Sequence, residues 1–177
     1  MAGIEKITSG DVYIKGKKIT SMGENQLAKF RQKYLGFVFQ AYNLINSMNA
    51  IENVEMPMIF KEIPRSTRIK KAKQMLVSVG LEKRMKHKPT QMSGGQQQRV
   101  GIARAFVTKP EVVFADEPTG NLDSKTSNEI MGIIKSMAIE YNQTIVMVTH
   151  DPSMARFADK VINIHDGKIV SIEKGDN

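Results

Sequence analysis

The sequence predicts an α/β fold in which a parallel sheet is interrupted by a helical insertion of roughly sixty residues. Three observations lead there. LGFVF (Leu35 to Phe39) is an apolar run of strand length. From Asn49 to about Val107 nearly every segment reads as helix. After Pro110 the pattern returns to strand, helix, strand, the alternation that indicates parallel pairing.

Each element has its own signal. DVYIKGKKIT places β-branched residues on both sides of Lys15-Gly16 and predicts two short strands around a turn. Asn25 to Lys33 is polar and helix-compatible, and it leads into LGFVF, which ends at Gln40. NAIENVEMPMIF reads as helix. STRIKKAKQMLVSVG follows, with Ser66 or Thr67 as the expected cap and Gly80 as the stop. Ser93 and Gln96 fit the S-x-x-Q capping box of a further helix. Beyond Pro110, VVFA is a buried strand, Ile130, Ile133, Ile134 and Met137 form one helix face, and TIVMVT (Thr144 to Thr149) is a second strand. VINIHDGKIVSI predicts a hairpin around Asp166-Gly167, residues that tolerate positive φ. The organisation is one domain, with residues 1–40 and 108–177 as the α/β core and 41–107 as a helical subdomain.

Composition bounds the function. With 177 residues, 41% of them hydrophobic and 25% charged, the chain can bury one sizeable core. It has no apolar run of membrane-spanning length, and Met1 to Gly10 lacks the apolar centre of a secretory signal, so a cytosolic location is expected. The absence of cysteine excludes disulfides and thiolate metal sites, and His87, His150 and His165 are scattered. The net charge of +8 is concentrated: Lys61 to Lys88 holds ten Lys or Arg against two acids, while the rest of the chain holds sixteen of each sign. Ile69, Ala72, Met75, Leu76 and Val79 interleave with those charges at helical spacing, which reads as a solvated helix face. A surface for acidic lipid or an acidic partner is the alternative. The segment lacks interleaved aromatics and a nucleic-acid fold signature, so no nucleic-acid partner is expected.

Two segments carry chemistry. VVFADEP runs four apolar residues into Asp116 and Glu117, where the carboxyl end of a strand opens into a crevice. In nucleotide hydrolysis one such carboxylate helps hold Mg²⁺ while the next orients or deprotonates the attacking water. Two acids opening a turn before Pro118 is the plainer reading of the pair alone. In MSGGQQQRV, Gly94 and Gly95 each cost about 1 kcal/mol against alanine in a first helical turn, a cost with a purpose where something approaches the backbone closely. A helix start of this kind suits a phosphate oxygen.

With these residues in view, the sequence resembles the ATP-binding subunits of ABC transporters, over essentially its whole length. Gln40 in FVFQAYNL resembles the Q-loop, SGGQ the ABC signature, VVFADE the Walker B strand, GNLD (Gly120 to Asp123) the D-loop, and VTHD places His150 as the switch histidine, all in the family's order. FQAYNLI and ADEPTGNLD are most similar to the macrolide-export, lipoprotein-release and cell-division type subgroup. The resemblance implies a P-loop NTPase-like ABC ATPase sheet with an inserted helical subdomain, with ATP and Mg²⁺ as ligands. Asp116 would bind the metal through water, Glu117 would act as general base, and His150 would contact the γ-phosphate and the water. Gln40 would sense metal and phosphate. Ser93, Gly95 and Gln96 would complete the nucleotide site of a second ATPase subunit packed head to tail, and Gly94 and Asp123 would be further nucleotide-binding positions. It also implies a membrane-spanning partner docked on the helical insertion and a peripheral position on the cytoplasmic face of the cell membrane.

One family element is absent from these residues. A P-loop requires GxxxxGK(S/T), and the Gly-Lys pairs here, Gly16-Lys17 and Gly167-Lys168, are followed by Lys18 and Ile169 and lack the earlier glycine. By the resemblance, AGIEKITSG corresponds to the segment just after the P-loop helix. The chain is therefore expected to begin after its P-loop, without the first strands, the adenine-stacking aromatic and that helix. A fragment of an ordinary subunit and a natural partial subunit that donates SGGQ in trans are the two explanations. A regulatory module on the same scaffold and a soluble ABC ATPase acting on nucleic acid are the alternative functions.

Overall fold

The computed structural model describes residues 2–175. Strands β1 (Tyr13–Ile14) and β2 (Lys17–Lys18) form a small antiparallel hairpin, followed by α1 (Glu24–Tyr34) and β3 (Leu35–Phe39). Helices α2 (Ala50–Ile59), α3 (Arg65–Ser78) and α4 (Gly94–Phe106) make up the insertion, joined through short 3-10 turns at Glu82–Arg84 and Pro89–Gln91. The chain then runs through β4 (Val112–Asp116), α5 (Ser124–Tyr141) and β5 (Thr144–Val148), and closes with the antiparallel pair β6 (Lys160–His165) and β7 (Lys168–Lys174).

The predicted parallel sheet is present, in the order β3-β4-β5. Both predicted hairpin turns use positive φ, at Lys15 (51°) and Gly16 (71°) and at Asp166 (48°) and Gly167 (72°). Gly80 also lies in the left-handed region, as expected of a residue beyond a helix end (φ 74°). The start of α3 differs from expectation. Pro64 is its cap residue and Ser66 and Thr67 lie inside the first turn. Proline's fixed φ and missing amide favour a helix start, and here they take the place of a hydroxyl cap.

Side-chain alternation along the strands separates two cores. Val38, Val113 and Ala115 face a large cluster with Met58, Leu76, Ile102 and Phe106 of the insertion and Ile130, Ile134 and Met137 of α5. Leu35, Phe37, Val112 and Phe114 face the other way, onto Phe30 of α1 and Ile14 and Ile19 of the hairpin region. Gly36 is held by tight packing, since a Cβ there would lie 2.5 Å from the carbonyl oxygen of Ala105. The chemistry-bearing residues are thereby brought to one end of the sheet.

Candidate nucleotide site

Phe39, Asp116 and Val148 lie side by side at the carboxyl ends of the three parallel strands. The next residues of each strand therefore converge, and this is where α/β sheets bind ligands. Glu117 leaves β4 at φ 44°, an uncommon conformation for a residue with a side chain, pinned by its amide bond to the Val148 carbonyl (2.9 Å). Beyond β5, His150 Nδ1 donates to Glu117 Oε1 at 2.5 Å. That hydrogen bond, reinforced by the carboxylate's charge, raises the His150 pKa above its ordinary value.

Gln40 joins the same cluster from β3. Its side-chain amide donates to Asn121 Oδ1 (3.4 Å), and Asn121 returns a bond to the Gln40 carbonyl (3.1 Å). Gly120 leaves the Gln40 amide its place: a Cβ there would stand 2.6 Å from Gln40 Nε2 and 3.3 Å from Glu117 Oε2, and the Gln40 side chain would have to move. Asp116 is exposed at the mouth. Among the described residues no group of three or more His, Cys, Asp or Glu could hold a metal ion by itself. One exposed carboxylate with a nearby amide oxygen still fits Mg²⁺, which keeps several waters and takes its remaining ligands from phosphates.

The signature segment occupies a different place. Ser93 caps α4 with the full reciprocal box, Gln96 N to Ser93 Oγ at 3.3 Å and Ser93 N to Gln96 Oε1 at 3.2 Å. Ser93, Gly95 and Gln96 line a cleft of about 480 Å³ together with Lys83, Arg84 and Glu82 and the Arg99–Glu129 ion pair (2.8 Å), and none of Gln40, Asp116, Glu117 or His150 reaches it. The two glycines have an internal reason. A Cβ at Gly94 would lie 2.7 Å from Tyr42 Oη, and one at Gly95 would lie 2.7 Å from Thr126 Cγ2. Asp123 caps α5, accepting from the Thr126 amide (3.0 Å) and hydroxyl (2.6 Å), which holds its carboxyl below the usual range.

Gln98 escaped the sequence reading. It is fully buried, and its side-chain amide donates to the carbonyls of Pro118 (2.6 Å) and Phe39 (3.3 Å), tying the ends of β4 and β3 together. Arg104 clamps the loop after Gln40 by donating to the carbonyls of Asn43 (2.5 Å) and Tyr42 (2.8 Å). Three glutamines in a row gave no signal as to which one is buried.

A parallel sheet with an acid pair and a histidine at its carboxyl ends, and a glycine-opened helix in the adjoining insertion, defines a cassette of the α/β nucleotide-ATPase class. The model of the ABC transporter family matches residues 1–120. The chain is 49% identical over 172 residues to an uncharacterized ABC transporter ATP-binding protein of Methanocaldococcus jannaschii, covering 97% of this chain and 76% of that protein. It is 41% identical to the bacitracin export ATP-binding protein BceA of Halalkalibacterium halodurans (99% and 70% covered). To the macrolide export ATP-binding/permease protein MacB of Vibrio parahaemolyticus it is 44% identical, covering 95% of this chain and 26% of that protein. Among solved structures it matches the dimeric post-hydrolysis ATP-binding cassette MJ0796 bound to ADP and Pi, with a TM-score of 0.87, 44% identity, and 98% and 76% covered. The chain belongs to the ABC transporter family of ATP-binding proteins.

Proposed function

We propose that this chain is the nucleotide-binding subunit of an ABC transporter, coupling ATP binding and hydrolysis to a membrane-spanning partner. The observation that carries the reading is the Glu117–His150 pair at the ends of β4 and β5, with Gln40 delivered beside it from β3. Bound Mg²⁺ would supply charge neutralisation on the phosphates, with Asp116 and Gln40 as the protein groups nearest to it. Glu117 accepts a proton from the attacking water, and His150 donates toward the γ-phosphate while fixing the Glu117 carboxylate. Gln98 keeps the ends of β3 and β4 at a fixed separation.

Ser93, Gly95 and Gln96 serve a second subunit's nucleotide, because their cleft is separate from the catalytic cluster and sets Lys83 and Arg84 beside the capped helix start, with Arg99 held by Glu129. The dimeric assembly of the MJ0796 cassette supports this reading. The helical subdomain, residues 41–107, is the surface offered to the membrane partner, which places the chain at the cytoplasmic face of the membrane. No helix among the described residues is long and apolar enough to cross a membrane.

The test follows from the absence of GxxxxGK(S/T) within the 177 residues. Alone, the chain is expected to show no Mg-ATP binding by calorimetry, and tight binding would refute that. With an exogenous strand, P-loop and helix fused ahead of residue 1, ATP hydrolysis is expected. Glu117→Gln should lower it by about a hundredfold or more, the scale of a lost general base. Turnover of the fusion unchanged by Glu117→Gln sinks the catalytic assignment. The intact signature cleft supports a second reading, a non-enzymatic subunit that only donates Ser93 to Gln96 in trans. It predicts that the unfused chain stimulates a P-loop-bearing partner although its own Glu117 is replaced.

A further inference from the structure

A second cleft, of about 540 Å³, lies between the β1–β2 hairpin and α1, and none of the signature or catalytic residues lines it. Its walls are Lys17, Lys18, Lys29 and Lys33 with Ser21, Gln26 and Tyr34, and its apolar floor includes Met22 and Phe30. No carboxylate lines it. Three acids near it are already engaged: Asp11 pairs with Lys18 (2.8 Å), Glu24 with Arg31 (2.6 Å), and Glu111, whose amide bonds to the Tyr34 carbonyl (2.9 Å), with Lys15. Among the described residues Lys17, Lys29 and Lys33 form no ion pair.

The cations are also gathered, which surface lysines ordinarily avoid. Lys17 Nζ lies 5.1 Å and Lys33 Nζ 5.3 Å from the centre of the Tyr34 ring, so two ammonium groups converge on one phenol, and Lys17 donates to its hydroxyl at 3.3 Å. The Lys17 contact lowers the Tyr34 pKa. On the flank, Lys61 Nζ reaches the Lys33 carbonyl (3.4 Å), and its pKa is lowered by burial and then by the charges of Lys33 and Lys71. Asp11 neutralises Lys18, and among the described residues no ion pair neutralises Lys17, Lys29 or Lys33, so the field at this corner is positive.

We propose that this cleft is a binding site for a phosphate-bearing anion, separate from the nucleotide site, with Lys17, Lys29 and Lys33 as its charge partners and Ser21 and Gln26 as neutral donors. Ammonium groups hold phosphate through charge-assisted hydrogen bonds, and the apolar floor suits the organic part of a phosphate ester. A soluble polyphosphorylated molecule and a phosphorylated lipid headgroup present the same chemistry.

The test is titration of the 177-residue chain with tripolyphosphate, without Mg²⁺, followed by calorimetry. Lys17→Ala with Lys33→Ala is expected to weaken binding roughly tenfold or more. Lys70→Ala with Lys73→Ala removes the same charge from the exposed face of α3 and should change it by less than about twofold. All four side chains are exposed, so the variants retain the fold, which a thermal melt verifies. Equal losses from both double variants, or no saturable binding to the parent chain, would overturn the site. A second arm uses vesicles carrying phosphatidylinositol bisphosphate against phosphatidylserine vesicles of matched charge. Retention by the first alone, lost in the Lys17/Lys33 variant, assigns the anion to a headgroup. Tripolyphosphate binding without vesicle retention assigns it to a soluble ligand.

Discussion

The two faces of the three-stranded sheet are finished to different degrees. One face is closed: Val38, Val113 and Ala115 are at most 2% exposed beneath α4 and α5. The other is closed only at the β3 end, where Phe37 and Phe114 stack (5.9 Å) over α1 and the first hairpin. Toward β5 it opens, and Val148 is 59% exposed. Strands of parallel sheets are normally covered on both faces. The hairpin β6–β7 belongs to the same open side of the ledger, with Ile162, Ile164, Ile169, Val170 and Ile172 all between 49% and 65% exposed. Folding energy is thus concentrated on one face, while Glu117 and His150 sit at the margin of the other.

The largest test of this contrast is a pair of truncations. Phe106→Ala, at a fully buried position on the closed face, should cost about 3–5 kcal/mol in urea unfolding. Val148→Ala, on the open face, should cost about 0.5 kcal/mol or less. Comparable losses would mean that the open face is covered in solution, for instance by a second copy. Next in size is Gln98→Ala. It leaves the carbonyls of Phe39 and Pro118 without their buried donor and should cost about 1–3 kcal/mol. In the P-loop fusion the same change should lower turnover while leaving helix content by circular dichroism unchanged.

Backbone exchange gives a smaller but better resolved contrast. Amides of β4, bonded on both sides, should exchange through the largest openings, and those of β6–β7, a sheet of two strands with exposed side chains, through small ones. Uniform protection across β4 and β6–β7 would erase the distinction between the two sides.

The closed face was the legible part of the sequence. LGFVF and VVFA are short apolar runs, Ile130, Ile134 and Met137 recur at helical spacing, and Ser93 with Gln96 marks a helix start, so local pattern and final burial agree. Gln40, Glu117 and His150 each follow a predicted strand, so their convergence was legible once those strands were paired in parallel. Other features depend on contacts between distant residues. Gln98 resembles its neighbours until the carbonyls of Phe39 and Pro118 surround it. Gly94 and Gly95 suggested a ligand, and the close approach of Tyr42 and Thr126 is a second reason for their missing side chains that only the fold brings out. Counting charge by segment put the excess at Lys61 to Lys88, yet Lys17 and Lys33 also meet, at the Tyr34 ring, across a hairpin and a helix. The start of α3 was misplaced because Pro64 competed with two hydroxyl residues for the cap.

The smallest expected effect is electrostatic and bears on whether the margin of the open face is ordered before a nucleotide arrives. His150 is exposed, so its bond to Glu117 adds little stability, but the sign of that contribution is fixed. A histidine whose pKa is raised on folding binds its proton more tightly in the folded chain. The stabilisation is fully present below the unfolded value of about 6.5 and is lost as pH rises through the raised value. In Glu117→Gln the His150 titration, followed by NMR, should fall back toward the ordinary histidine range. The difference in unfolding midpoint between parent and variant should also shrink as pH climbs past the parent's raised pKa. An unchanged His150 titration in the variant would show that the pair does not form in solution without nucleotide. The open margin would then be assembled by its ligand, whereas the closed face would still be built by the chain itself.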